Sequence, residues 1–285
     1  MAVITGCNAG IGRVTAHQLS KKGATVIMLC RNVSKAQEVA DEIIEDTKGQ
    51  VKVVHLDLAS LESVRACAAQ LIEDLDKIDL LVNNAGVACR KKARTAEGYE
   101  MQFGTNHLGH FLLTELLLPK LAKSAEGGFN ARIVIVASMA AEQGVIRFDD
   151  LNWNNEDTFD GIKAYQQSKL ANVMHCAALA RRLEGTGVTT YSLHPGVIAT
   201  EIGREWNEVV AYRLLSPLIN WVIKTPFYGA QTTLYCCLED GLSNSSGLYY
   251  SDCKEKKIPN KFAISKEDQE KLWAMSQDLV GLSNK

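Results

Sequence analysis

The chain has 285 residues, 46% of them hydrophobic, enough for one large α/β domain. Its formal net charge of −2 supplies no global positive field, which argues against nucleic acid as a partner. Eight scattered cysteines form no CxxC pair and six dispersed histidines have no HExxH context, so a zinc framework, a disulfide framework and a metal site are all disfavoured.

The predicted elements alternate. "MAVITG" is a short apolar strand, followed by a helix from about Gly10 to Lys22. "ATVIMLC" is β-branched and apolar, a strand buried on both faces. "SKAQEVADEIIEDTK" is an amphipathic helix with Ser34 as its expected N-cap. "VKVVHLD" is a third strand, and Ser60 opens the helix after it. "IDLLVNNAG" is a fourth strand ending in a tight turn, and a long helix from about Tyr99 to Leu118 leads to the fifth, "ARIVIVAS". The helix of "AYQQSKLANVMH" precedes a sixth strand, "VTTYSLHPG". After Ala199 the pattern loosens into a helix near Gly229 to Leu238, a short strand "GLYYS" and a terminal helix. Such alternation predicts a single Rossmann-type, doubly wound parallel sheet with helices on both faces. No linker or repeat divides the chain, so residues 1–285 read as one domain, with a cofactor half over about 1–140 and a catalytic and substrate half over about 141–285.

Four places carry chemistry. "TGCNAGIG", Thr5 to Gly12, follows a strand and opens a helix, where glycines let the backbone approach a pyrophosphate and free N–H groups attract it. Its spacing is G-x-x-x-G-x-G. "LDL" ends the third strand, so Asp57 either meets an adenine edge or caps the next helix. "NNAG", Asn83 to Gly86, ends the fourth strand; Asn and Gly are ordinary turn formers, and only position gives the motif weight. In "AYQQSKLANVMH", Tyr165 and Lys169 stand four apart on one helix face. A neighbouring ammonium favours the phenolate, making Tyr165 a proton donor and acceptor near neutral pH, which the oxygen of an alcohol or carbonyl needs when its carbon changes oxidation state. Ser138 ends "VIVAS", within reach of the same oxygen.

These motifs in this order resemble the short-chain dehydrogenase/reductase family over nearly the whole chain. "YEMQFGTNHLGHFLLTELLLP", "AYQQSKLANVMH" and "KTPFYGAQTTLY" are similar to its retinol dehydrogenase-like branch. The resemblance implies Tyr165 as acid/base, Ser138 binding the substrate oxygen, Lys169 holding the nicotinamide ribose while tuning Tyr165, and Asn106 helping to hold a water in a proton relay. It implies a dinucleotide site at Thr5, Gly6, Asn8, Gly10, Ile11, Gly12, Asp57, Leu58, Asn84, Ala85 and Gly86. It adds Tyr165 and Lys169, and Pro195, Gly196, Val197 and Thr200 of "PGVIAT" against the nicotinamide carboxamide. Where NAD-dependent relatives carry Asp at the end of the second strand, this chain has Cys30 and then Arg31, a permanently charged fork suited to a 2′-phosphate, with Lys35 a turn further on. The expected cofactor is therefore NADP(H).

The expected substrate is a lipophilic alcohol or its aldehyde or ketone: retinoid-like, steroid-like or a fatty carbonyl. A lid over about 201–228 carries Trp206, Tyr212, Leu214, Leu215, Leu218 and Trp221. No apolar run reaches the roughly 18 residues of a membrane span, and no signal peptide or anchor is visible. The reading is cytoplasmic, or peripheral at the endoplasmic reticulum, with homodimerisation left open. Two alternatives stand beside it: a non-catalytic dinucleotide-binding regulatory or interaction protein, and an epimerase or dehydratase on a nucleotide sugar, which also uses Y-x-x-x-K.

Overall fold

Strands form where β-branched and apolar runs leave no polar face. β1 (Ala2–Thr5), β2 (Val26–Cys30), β4 (Leu80–Asn83), β5 (Ala131–Val136) and β6 (Val188–His194) are buried at every position. β3 (Val51–His55) keeps exposed residues because it is the sheet edge. The computed structural model describes residues 1–197 and 224–283. Within them one eight-stranded sheet runs β3-β2-β1-β4-β5-β6-β7-β8, parallel except for the last pair, β7 (Tyr249–Ser251) with β8 (Lys254–Glu255).

Helices cover both faces. α1 (Gly10–Lys21), α2 (Val33–Thr47) and α7 (Pro226–Leu238) bury Ala16, Leu19, Val39, Ile43 and Ala230 against Ile4, Met28, Val82 and Val134. On the other face lie α3 (Leu61–Asp74), α5 (Gly109–Glu126), α6 (Gly161–Arg182) and α9 (Lys266–Leu279). They bury Leu71, Leu112, Leu117, Met174 and Trp273 against Val3, Ile27, Leu81 and Ile133. β1 pairs with both β2 and β4, so the order of strands reverses there and leaves a crevice beyond their carboxyl ends.

Three expectations are corrected. Asn32, not Ser34, caps α2: its Oδ1 accepts the Lys35 N–H at 2.9 Å, because the helix begins two residues earlier, at Val33. The long helix starts as a single turn, α4 (Met101–Phe103), passes through a π-turn at Gly104–Leu108 and continues as α5 past Pro119 to Glu126. β8 and the short α8 (Lys261–Ile264) are additions that apolar periodicity does not show.

Candidate active site

A cleft of about 1020 Å³ opens at the strand reversal. Its floor is the turn between β1 and α1. Gly6 and Gly10 adopt φ of 63° and 55°, which side chains rarely tolerate. A Cβ on Gly6 would lie 2.8 Å from Ala85, and one on Gly12 would lie 2.5 Å from the Gly6 carbonyl and the Asn84 amide. The turn is thus packed directly against "NNAG". Among the described residues α1 has no side-chain cap, and its first turn holds no acidic residue, which leaves the N–H groups at its start to a ligand's anion. Gly6, Asn8, Gly10, Ile11, Gly12, Asn84, Ala85 and Gly86 all line the cleft.

Thr5 and Asn106 lie behind that wall, fully buried or nearly so, and do not line it. The Thr5 hydroxyl oxygen accepts the backbone N–H groups of Asn84 and Ala85, both at 2.9 Å, and sits 2.9 Å from His110 Nε2. His110 Nδ1 is 3.0 Å from the Asn106 carbonyl, which can only accept, so Nδ1 carries the proton and Nε2 accepts from Thr5. Burial holds His110 down to about 4, in keeping with this neutral imidazole. Asn84 Nδ2 donates to the carbonyls of Thr5 and Gly6 at 2.8 and 3.1 Å. Asn106, in the π-turn, accepts the Val87 N–H at 2.8 Å and donates to the Val87 carbonyl at 2.9 Å and to Ser168 Oγ at 3.0 Å. Its carboxamide is spent on holding the strand-end loop in place.

At one end of the cleft stand Ser138, Tyr165 and Lys169. Ser138 leaves β5 in an extended conformation and caps the 3₁₀ turn Met139–Gln143, accepting the Ala140 N–H at 3.2 Å. Tyr165 and Lys169 come from the first half of α6, which Asp160 caps. The Lys169 ammonium lies 5.8 Å from the centre of the Tyr165 ring and donates to the Val136 carbonyl at 3.1 Å. It also sits 3.2 Å from where a Cβ on Gly86 would be, so glycine there leaves the ammonium its place. Lys169 is 2% exposed, and burial lowers it to about 8. Tyr165 is raised above 10.0 by burial, with hydrogen bonding to Ser138 pulling the other way. Desolvation thus outweighs the hydrogen bond to Ser138.

At the other end Arg31, Asn32 and Lys35 line an exposed wall, with Cys30, Asp57 and Leu58 beside them. Asp57 does not cap α3; its Oδ1 accepts the Ala59 N–H at 2.9 Å, and Ser60 does the capping. Pro195, Gly196 and Val197 line the cleft near Ser138, Gly196 with φ of 98°. The Val197 carbonyl accepts the Lys224 N–H at 2.8 Å, and Pro226 is part of the wall. Thr200, Trp206, Tyr212, Leu214, Leu215, Leu218 and Trp221 lie outside the described residues.

The family model of the short chain dehydrogenases matches residues 1–150. Retinol dehydrogenase 14 of Mus musculus is 43% identical over 292 residues, covering 98% of this chain and 85% of that protein. Retinol dehydrogenase 12 of Homo sapiens is 44% identical over 284 residues, covering 99% and 86%. The chain belongs to the short-chain dehydrogenase family. It is an oxidoreductase of the retinol dehydrogenase branch. A crystal structure of an uncharacterized protein from Mycobacterium paratuberculosis is similar, with a TM-score of 0.77, 34% identity and coverage of 98% and 92%. So is a protein from Beutenbergia cavernae described as an NAD(P) dependent gluconate 5-dehydrogenase with bound NADP, at a TM-score of 0.69, 28% identity and coverage of 88% and 94%.

Sequence reading of this short-chain dehydrogenase passes over several wall residues: Leu56, Val87, Thr105, Ile162 and His194. His194 has the clearest signal, as the polar residue at the carboxyl end of β6. It is 8% exposed, burial lowers it to about 4, and its Nδ1 finds no partner among the described residues.

Proposed function

We propose that this short-chain dehydrogenase is an NADP(H)-dependent enzyme interconverting a lipophilic alcohol with its aldehyde or ketone. The observation that carries the reading is the two-ended cleft: Ser138, Tyr165 and Lys169 share one end, and Arg31 stands at the other beyond the glycine turn. The cleft suits a dinucleotide because Gly6 and Gly12 let the turn pack closely against Ala85 and Asn84, Gly86 leaves the Lys169 ammonium its place, and no described side chain caps α1. Gly6, Asn8, Gly10, Ile11 and Gly12 would hold the pyrophosphate, and Arg31 with Lys35 the adenosine 2′-phosphate. Asp57 and Leu58 would meet the adenine, Asn84 to Gly86 and Lys169 the nicotinamide ribose, and Pro195 to Val197 the carboxamide. Bound there, the dinucleotide supplies or takes up the hydride.

The chain's own residues handle the proton. Burial keeps Tyr165 protonated through the neutral range, so it donates to a carbonyl oxygen that becomes a hydroxyl, and recovers a proton in the reverse direction. Ser138 orients that oxygen from the opposite side. The buried Lys169 ammonium stabilises the negative charge left on the phenolic oxygen once Tyr165 has given up its proton. Asn106 positions the loop of Val87 rather than touching the reacting atoms. Apolar Ile162, Val197 and Pro226 beside Ser138, together with relatives named retinol dehydrogenases, support a lipophilic substrate.

Initial rates with NADPH and NADH against long-chain aldehydes, polyene aldehydes and steroid ketones test the reading. A charge-assisted hydrogen bond from Arg31 is worth about 1.5–3 kcal/mol, so kcat/KM should favour NADPH by about ten- to a hundredfold. Equal values, or a preference for NADH, contradict the assignment of Arg31.

A further inference from the structure

Two cysteines meet in the wall of this cleft. Cys7 belongs to the glycine turn and Cys30 ends β2, and their sulfurs are 3.9 Å apart. β1 and β2 are hydrogen-bonded neighbours up to this point, with Thr5 opposite Leu29 and the Gly6 N–H bonded to the Leu29 carbonyl at 2.8 Å. Continuing that register puts Gly6 opposite Cys30, so Cys7 stands one residue beyond its level, with the two sulfurs already near each other. Both are buried, but Cys30, 2% exposed, lines the cleft, whereas Cys7, 0% exposed, lies behind it. A diffusible oxidant entering the empty cleft reaches Cys30 first.

We propose that Cys7 and Cys30 are a redox-sensitive thiol pair that a hydroperoxide closes to a disulfide when the cleft is empty, blocking the dinucleotide. The blocking half rests on the cofactor site proposed above; the closing half does not. The two sulfurs have different roles. The Cys7 thiol, aided by backbone N–H groups of Cys7, Asn8 and Gly6, pulls Cys30 below the usual thiol range against the effect of burial. Burial pushes Cys7 well up. Elsewhere burial pushes Cys67 to about 12, Cys176 to about 11 and Cys237 to about 12, and raises Cys236 too. Cys30, on the cleft wall, is placed as the nucleophile, and Cys7, behind it, as the resolving thiol.

The chemistry balances. The Cys30 sulfur attacks a peroxide oxygen, the O–O bond breaks, and water or an alcohol leaves with the Cys30 proton. The Cys7 sulfur then attacks the resulting sulfenic acid, the S–S bond forms, the S–O bond breaks, and the hydroxyl leaves as water with the Cys7 proton. Two thiols are oxidised and one hydroperoxide is reduced. The bridge fastens the glycine turn to the end of β2 and displaces the wall against which the adenosine ribose would lie.

The test treats the reduced full chain with hydrogen peroxide, alkylates remaining thiols and digests with trypsin. Cleavage after Arg13, Lys22 and Arg31 puts Cys7 in peptide 1–13 and Cys30 in peptide 23–31. The expected product is these two peptides joined, lighter by two hydrogens, suppressed when NADPH is present and reversed by dithiothreitol. NADPH affinity measured by titration should fall at least about tenfold on oxidation, the scale of one lost charge-assisted hydrogen bond. Cys7→Ala should give no joined peptide and, after peroxide, should keep the affinity of its untreated form. Cys7→Ser serves if the alanine variant does not fold. Absence of the joined peptide while other thiols oxidise overturns the proposal. So does an equal loss of affinity in peroxide-treated Cys7→Ala. Reduced protein that fails to bind NADPH overturns the cofactor site instead, with the joined peptide still scored on its own.

Discussion

The two ends of the cleft are built on opposite electrostatic plans. At the end beside β2, Arg31 and Lys35 stand exposed on the wall. At the catalytic end Lys169 is 2% exposed and its charge is held at a cost, with its pKa brought from 10.5 to about 8. Under the proposed reading the exposed cations would select a ligand's charge, and salt would screen them. The buried one lies 5.8 Å from the centre of a single phenol ring, where salt screens little. Charge discrimination tolerates water, whereas adjusting one proton's affinity needs its exclusion.

Breaking the buried end should have the larger effect. Lys169→Met removes the ammonium from beside Tyr165 and from the proposed ribose contact together. Steady-state kinetics should show kcat lowered by about 10²–10⁴-fold, the range for a general acid–base system, and titration should show weaker NADPH binding. Unchanged cofactor affinity would leave Lys169 only its role toward Tyr165.

Breaking the exposed end should do less and depend on salt. Arg31→Ala should reduce the NADPH preference by about ten- to a hundredfold, mainly through KM for NADPH. The unmodified protein should lose NADPH affinity as ionic strength rises, and Arg31→Ala should lose less. Parallel salt dependences in the two proteins would remove Arg31 from the phosphate site.

A smaller effect sharpens the contrast by stability. Burial holds His110 to about 4, His175 to about 3 and His194 to about 4, against 6.5 in the unfolded chain. Between pH 6.5 and about 4 the unfolded chain binds protons that the folded one refuses. Their contribution is thus complete above pH 6.5 and is lost as pH falls, by up to roughly 1.4 kcal/mol per unit for each. His175 packs against Phe111 and Trp273 with ring centres 5.0 and 5.6 Å away, so His175→Phe suits the site. Its acid-unfolding midpoint, followed by circular dichroism, should move to lower pH. An unmoved midpoint would mean that His175 does not limit acid stability.

Much of this was legible in the sequence because it rests on periodicity and position. Tyr165 and Lys169 share a helix face by their spacing, and the glycine turn shows itself by lying between a strand and a helix. The π-turn is different: one extra residue in a helix leaves no mark in composition, yet it aims Asn106 at Val87. The roles of Thr5 and His110 behind the wall were equally hidden, since their partners lie about 80 and 105 positions away. Asn32 and Ser34 are both good caps, and only the backbone decides between them. The direction of the Tyr165 shift depends on how deeply the cleft buries it, which spacing alone does not report.

The claim at the centre of this account is that Tyr165 moves the proton while other residues hold the cofactor. Tyr165→Phe tests it most directly, with aldehyde reduction and NADPH affinity measured on the same preparation. Phenylalanine keeps the ring and loses the transferable proton. The account predicts turnover lowered by about 10²–10⁴-fold with NADPH affinity nearly unchanged. Turnover within a few-fold of the unmodified enzyme would contradict it.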